Sequence, residues 1–326
     1  MKLRTEINSL KSSIKIEHQS SILLVGSCFA ENIGRLLSSH KFKALSNPMG
    51  IAFNPVSLSN NLQRYSNFRG NEFIDDGDIH FNYQLHSKFN STDKTKSLKE
   101  ANQALKQQKE FLKDTDCIFI TLGTAWVYEL NKTREIVNNC HKQDSKKFTK
   151  RLLSVKEIKQ SLVNLLLFLN RISKKDLQVV FTVSPIRHIK DGIRENQISK
   201  SVLHVAINEL SQEFANCNYF PAYEIMLDDL RDYRFYKSDL IHPNETAISY
   251  IWEKFSETYL SEKTKSMNLK VQGFNSSIAH KAFNSESAQH QSFLKKLIQQ
   301  LIDFQNQEKI NFQEEIQQLE AQLLSQ

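Results

Sequence analysis

The sequence predicts an α/β fold: three α/β/α layers resembling flavodoxin, with a mainly parallel five-stranded sheet and a helical C-terminal extension. Three observations predict it. Five short apolar runs have strand propensity, at residues 22–25, 43–45, Cys117–Leu122, Gln178–Val183 and 219–222. Stretches of helical spacing separate most of them, at residues 97–112, Val155–Ile172 and 195–215. Apolar strands joined by such helices need crossover connections, which give a buried parallel sheet. Finally, the composition changes near Glu262, where Gln, Lys, Ser and Asn come to dominate. That shift divides the chain into residues 1–262 and a Gln-rich extension, 263–326.

Each element has a local reason. Gly26 breaks the first run, and Ile33, Leu36 and Leu37 then recur at helical spacing, so the segment reads strand, sharp turn, helix. The turn carries Ser27 and Cys28 where the first amides of the helix point outward unpaired, a place that favours anions and lowers a thiol pKa. Residues 73–83 alternate around Asp75-Asp76-Gly77-Asp78 and read as a hairpin insertion. In the extension, Leu294, Leu297, Ile298, Leu301 and Ile302, then Ile310, Ile316, Leu319 and Leu323, mark amphipathic helix interrupted near 306–311. A helical pair packed on the core is expected, with a coiled coil joining two copies into a homodimer as the alternative.

Composition bounds the function loosely. An apolar fraction of 40% suits a globular protein, and no apolar run approaches the ~20 residues a membrane span needs. The N-terminal lysines precede no apolar h-region, so no secretory signal is expected and the cytoplasm is the expected location. The four cysteines have neither disulfide-like nor metal-like spacing, and Cys117 and Cys217 lie beside apolar runs as reduced core residues. Neither a metal nor any other cofactor is expected, and nucleic-acid motifs are absent. A net charge of +7 is spread among interleaved acids and bases, a weak attraction for anionic substrates at most.

The second chemical feature lies near residue 240. Asp239 and His242 stand three apart, before a helix that Asn244 would cap and whose apolar stripe is Ile248, Ile251, Trp252 and Phe255. A carboxylate so placed can fix the imidazole tautomer, leaving the other ring nitrogen as base for a nucleophile. In a parallel sheet, Cys28, Gly123, Ser184 and the His242 loop should meet at the carboxyl ends of the strands. His188 could contact substrate or act as a second base, and His80 and His86 could line the mouth. Arg187 and the arginines at 231 and 234 could hold an anion.

Several segments resemble one family. The stretch GSCFA at residues 26–30 resembles the signature of the GSCFA-domain family, and NPMGIAFNP (47–55), LGTAWVY (122–128), TVSPIRH (182–188), ENQISK (195–200) and LRDYRFYKSDLIHPN (230–244) are similar to the same family. The likeness runs from about Glu6 to about Leu260. It implies the SGNH (GDSL-like) hydrolase superfamily, whose serine lies two residues after the glycine that ends the first strand. Counted that way the nucleophile is Cys28, with Ser27 as the rival; a structural Cys28 in an inactive protein is the third alternative. The resemblance also implies oxyanion donors from the nucleophile amide and Gly50. The superfamily's Gly-x-Asn block is replaced by Gly123-Thr124-Ala125, so the third donor is missing. Thr124, Asn47 or Asn54 could replace it; losing one donor typically raises a barrier by ~3 kcal/mol.

Three functions follow as expectations. One is hydrolysis of a small acyl ester by Cys28 or Ser27 with His242 and Asp239. Another is acetyl transfer, from a donor such as acetyl-CoA to a glycan or peptide hydroxyl. The last is a binding protein without catalysis.

Overall fold

A computed structural model describes residues 5–7, 12–173, 176–280 and 283–323. Five strands, β1 (Ser21–Gly26), β2 (Lys43–Ser46), β3 (Cys117–Leu122), β4 (Gln178–Val183) and β5 (Cys217–Tyr219), form one sheet in the order β5-β4-β3-β1-β2. Every pairing in it is parallel. This is the flavodoxin-type order 2-1-3-4-5, in which ligands gather outside the carboxyl ends of β1 and β3, where the connections change direction.

The alternation of a strand sends neighbouring side chains to opposite faces. On one face Leu23, Val25, Ile118, Ile120 and Leu122 pack with α2 (Pro55–Gln63), α4 (Val155–Ile172) and α5 (Ile193–Glu213). On the other, Ile22, Leu24, Cys117 and Phe119 pack with α1 (Cys28–Ser39) and with α6 (Glu245–Tyr259). The helix α3 (Lys94–Lys113) joins the first face through Leu112 and closes a smaller cluster of Phe68, Phe73, Leu85 and Leu105. Cys117 and Cys217 are buried and free, and burial pushes both thiols up.

Most elements fall within a few residues of where the sequence places them, with two larger differences. The last strand is Cys217–Tyr219 rather than 219–222, because the chain turns at Pro221 and Ala222 begins a helical turn. A three-stranded antiparallel sheet, Trp126–Leu130 with Ile136–Val137 and Phe148–Leu152, fills the β3–α4 connection and was not anticipated. The hairpin expected at 73–83 is present as Ile74–Asp75 paired with His80–Phe81.

Three helices form the extension: α7 (Glu262–Ala279), α8 (Ala288–Glu308) and α9 (Gln313–Glu320). Lys309, at φ 60°, ends α8 in the left-handed conformation, so the interruption falls close to where it was expected. Their apolar stripes close on one another: Val271, Leu301 and Phe312 are fully buried, and Leu297, Ile316 and Leu319 nearly so. The stripe that a coiled coil between two copies would need is thus largely covered within one chain. The extension is fastened to the far end of α1. Lys41 pairs with Glu315 and lies over the Phe312 ring, and Asn275 Nδ2 donates to Ser39 O at 2.7 Å. No helix among the described residues is long and apolar enough to cross a membrane.

Candidate active site

The turn after β1 is built by backbone pressed against β3. Gly26 adopts φ 122°, and a Cβ there would lie 2.0 Å from Thr121 O, so only glycine fits. The Ser27 amide donates to Thr121 O at 3.1 Å. Ser27 Oγ accepts from Phe29 N at 3.3 Å as the N-cap of α1, and donates to Ser184 Oγ at 3.0 Å. Both hydrogen-bonding roles of Ser27 Oγ are thus filled, and the residue is 1% exposed.

Cys28 is the first residue of α1, half-buried and unpaired. The expected lowering of its thiol pKa is overturned. Burial raises it, Glu31 adds to the rise, and the amides of Cys28 and Phe29 together with Lys200 only oppose it. Desolvating a thiolate outweighs the helix terminus here.

Asp239 and His242 form a ready pair. The His242 Nδ1–Asp239 Oδ2 distance is 2.7 Å, and Asp239 Oδ1 accepts from the amides of Ile241 and His242 at 2.8 and 3.0 Å. Those backbone bonds, then the imidazole, hold the Asp239 carboxyl down at about 2. The turn is tight: Leu240 has φ 59°, and Lys237 N donates to His242 O at 2.7 Å. Its link to the sheet is a 3.4 Å bond from Arg187 N, just past β4, to Ile241 O. Ile241 also packs in the apolar cluster that includes Cys28. The Arg187 guanidinium lies 5.2 and 4.4 Å from the Tyr233 and Tyr236 ring centres, bracing the same loop.

The expected oxyanion donors are mostly engaged elsewhere. The Gly50 amide donates to Asn47 O at 2.8 Å, and the Gly123 and Thr124 amides share Phe53 O at 2.8 and 3.0 Å. Thr124 Oγ1 lies 3.0 Å from Ser199 Oγ and accepts from Trp126 N. Asn47 Oδ1 accepts from Gly26 N at 2.8 Å while its Nδ2 reaches Glu31, and Asn54 caps α2. Gly50, at φ 80°, backs onto His86, whose Cβ would be 2.3 Å from an added Cβ. His86 Nδ1 accepts from Lys88 N at 3.2 Å. His80 instead lies 3.9 Å from Asp75 in the hairpin, and Arg231 pairs with Asp228 on the surface.

His188 is the exception. Its Nε2 is buried with no hydrogen-bond partner among the described residues, and its ring meets Phe53 edge-on at 5.4 Å. Burial, Lys200 and His242 hold it down at about 4, so the ring is neutral near pH 7.

Lys200 was missed as a site residue, although it closes the ENQISK segment. It is 1% exposed, and its Nζ donates to Gly123 O and Ser184 O, each at 2.7 Å. A signal existed: Asn196, Lys200, Leu203, Ile207 and Leu210 share the buried face of α5, so this lysine interrupts an apolar stripe. Through these contacts Cys28, Ser27, Ser184, Gly123, Lys200, His188 and the His242 loop gather at one end of the sheet, and Gly50, Asn47 and His86 border the same turn. A separate cavity of about 610 Å³ between the C-terminal helices, lined by His280, His290 and Phe293 among others, shares none of these residues. No group of three or more His, Cys, Asp or Glu among the described residues is arranged to hold a metal ion.

Two family models match the sequence. One, described as the GSCFA family, covers residues 21–255, and the other, a GSCFA domain protein C-terminal domain, covers residues 271–325. No curated protein matches the chain.

Proposed function

The chain belongs to the GSCFA family, and we propose that it is an SGNH-type hydrolase of small acyl esters, acetyl esters above all, working through Cys28, His242 and Asp239. The observation that carries this reading is the 2.7 Å Asp239–His242 pair, on a loop bonded to the end of β4 and packed in the same cluster as Cys28. Asp239 accepts the Nδ1 proton, leaving Nε2 as a base. His242 takes the Cys28 proton as the sulfur attacks the acyl carbonyl, then returns that proton to the departing alkoxide. A thioester remains. Water, deprotonated by His242, attacks it; the thiolate leaves, recovers its proton, and the acid is released.

The Cys28 amide is one oxyanion donor in this reading. Engagement of Ser27 Oγ as cap and donor supports sulfur over oxygen as nucleophile. The half-exposed rim formed by Asp239 and His242, at 43% and 42%, favours acyl transfer as the second reading, since an acceptor hydroxyl could reach the thioester in place of water. The four unpaired cysteines support a cytoplasmic setting.

The test is intact-mass analysis after exposure to acetyl-CoA and to an activated acetyl ester, with wild type beside Cys28→Ala, Ser27→Ala and His242→Ala. An acetyl adduct absent only from Cys28→Ala, and formed slowly in His242→Ala, is expected. Adduct from acetyl-CoA that passes to an added hydroxyl acceptor selects transfer over hydrolysis. No adduct in any folded protein overturns both readings and leaves a binding role.

A further inference from the structure

A lysine side chain with no exposed surface to speak of is rare, because moving an ammonium out of water is costly unless something compensates. The compensation at Lys200 is incomplete. Two carbonyls accept from it, Gly123 O at the end of β3 and Ser184 O at the end of β4, and its Nζ lies 5.7 Å from the centre of the Tyr223 ring. No carboxylate among the described residues is paired with it, and Cys28 is the one acidic group whose charge bears on it. Burial accordingly brings the Lys200 pKa down to about 7.

Its position explains what such a residue is for. Ser184, whose carbonyl it holds, also accepts the Ser27 hydroxyl, and Ser27 is the cap from which Cys28 starts α1. The other titratable groups around this centre are His188 beyond β4, with Asp191 near it, His204 one turn along α5, His242 on its loop, Tyr223, and Glu31 on α1. His188 and His204 are held near pKa 4 and are neutral at pH 7, and Glu31 opposes ionisation of Cys28. Lys200 favours the thiolate alongside the amides of Cys28 and Phe29.

We propose that Lys200 is a positioning residue of the active centre: it pins the ends of β3 and β4 beneath the Cys28 turn and adds a nearby positive charge that favours the thiolate. Its catalytic meaning rests on the proposed acyl chemistry; the coupling to Cys28 does not. No bond is made or broken at Lys200. When it is protonated, the thiolate is favoured; when it loses its proton, Cys28 holds its own more tightly.

The test is the pH dependence of Cys28 alkylation by iodoacetamide, read residue by residue by peptide mass, on the full chain. Wild type is compared with Lys200→Gln, which keeps amide donors, and Lys200→Met, with circular dichroism verifying folding. The wild-type logarithmic rate should rise with pH, flatten just above pH 7 as Lys200 titrates, then rise again. The variants should lose the flattening and react roughly tenfold more slowly at pH 7, the equivalent of one pKa unit. Superimposable profiles in folded variants would overturn the proposal. Should both variants fail to fold, the wild-type profile decides, and a single uninflected rise overturns it. Alkylation reports the thiol whether or not an acyl group is ever carried. An inflected profile without any acyl adduct therefore sinks the esterase reading and keeps the coupling.

Discussion

Ser27 Oγ and Ser184 Oγ lie 3.0 Å apart, which ties the cap of α1 to the end of β4. A cap hydroxyl is worth about 1 kcal/mol, and a buried neutral hydrogen bond a similar amount. Ser27→Ala should lower stability in urea by roughly 1–2 kcal/mol while leaving Cys28 open to acylation. A double cycle with Ser184→Ala should show coupling. Abolished acylation in a folded Ser27→Ala protein would return the nucleophile role to the serine.

Asp239→Asn should keep the fold, since the pair sits on a half-exposed loop, yet slow acylation by a factor on the order of 10²–10⁴ through the wrong tautomer of His242. The sign of the pH effect follows from the lowered pKa. Whatever this carboxylate adds to stability is complete above its ordinary pKa of 3.8 and fades only as pH falls towards about 2. Acid inactivation of the wild type above pH 4 therefore should not track Asp239, which a profile of acylation rate from pH 4 to 8 can establish.

Three glycines with positive φ form a graded series. At Gly77 an added Cβ meets nothing within 4 Å, so Gly77→Ala should cost only the dihedral penalty, about 1–2 kcal/mol. Gly50→Ala adds a 2.3 Å clash with the His86 side chain and should cost more. Gly26→Ala drives a Cβ against the backbone oxygen of Thr121 at 2.0 Å and should exceed ~4 kcal/mol or prevent folding. Thermal melts of the three variants rank them, and equal melting temperatures would contradict the turn geometry.

Two histidines should make the protein acid-sensitive well above the carboxylate range. Burial, then Lys200, brings His188 and His204 each to about 4, below the ordinary 6.5. Between those values the unfolded chain holds more protons, so stability falls as pH drops from 6.5 towards 4. Lys200 acts in the same sense at higher pH: its burial weighs less as pH rises from about 7 towards 10.5. Melting temperature should decline from pH 7 to pH 4, and less steeply in a His188→Gln, His204→Gln protein. A flat profile would show both rings to be protonated in the fold.

Arg187 braces the loop that carries His242. Its guanidinium over Tyr233 and Tyr236 contributes on the order of 0.5–2 kcal/mol. Arg187→Ala should slow acylation at saturating ester while leaving the Cys28 alkylation profile in place; Arg187→Lys should restore part of the rate. A shifted alkylation profile would place Arg187 in the thiol's own field.

What was legible in the sequence was what neighbours in the chain decide. Cys117–Leu122 and Gln178–Val183 are continuous apolar runs, and buried parallel strands look like that. Asp239 and His242 were legible because one turn holds both. The sheet of Trp126–Leu130 and Phe148–Leu152 was not, since the second strand carries Thr149, Lys150 and Arg151 facing solvent or acids. Likewise α2 is a polar segment, PVSLSNNLQ, whose interior serines are buried by contact with α4. Donor availability lay furthest from view. That Phe53 O takes the amides of Gly123 and Thr124 depends on a pairing between distant segments that no local pattern encodes, whereas the Gly50 amide is taken by Asn47 O within a single turn.

The helix that begins at Cys28 ends at Ser39, a strut of about 18 Å. One end is moored by the Ser27 cap. The other is moored by residues more than two hundred positions later, through Asn275 to the Ser39 carbonyl and through Glu315 and Phe312 to Lys41. The extension is thereby a mechanical partner of Cys28, and slackening it would be transmitted along α1 to the sulfur although none of the described extension residues borders the turn at Ser27 and Cys28.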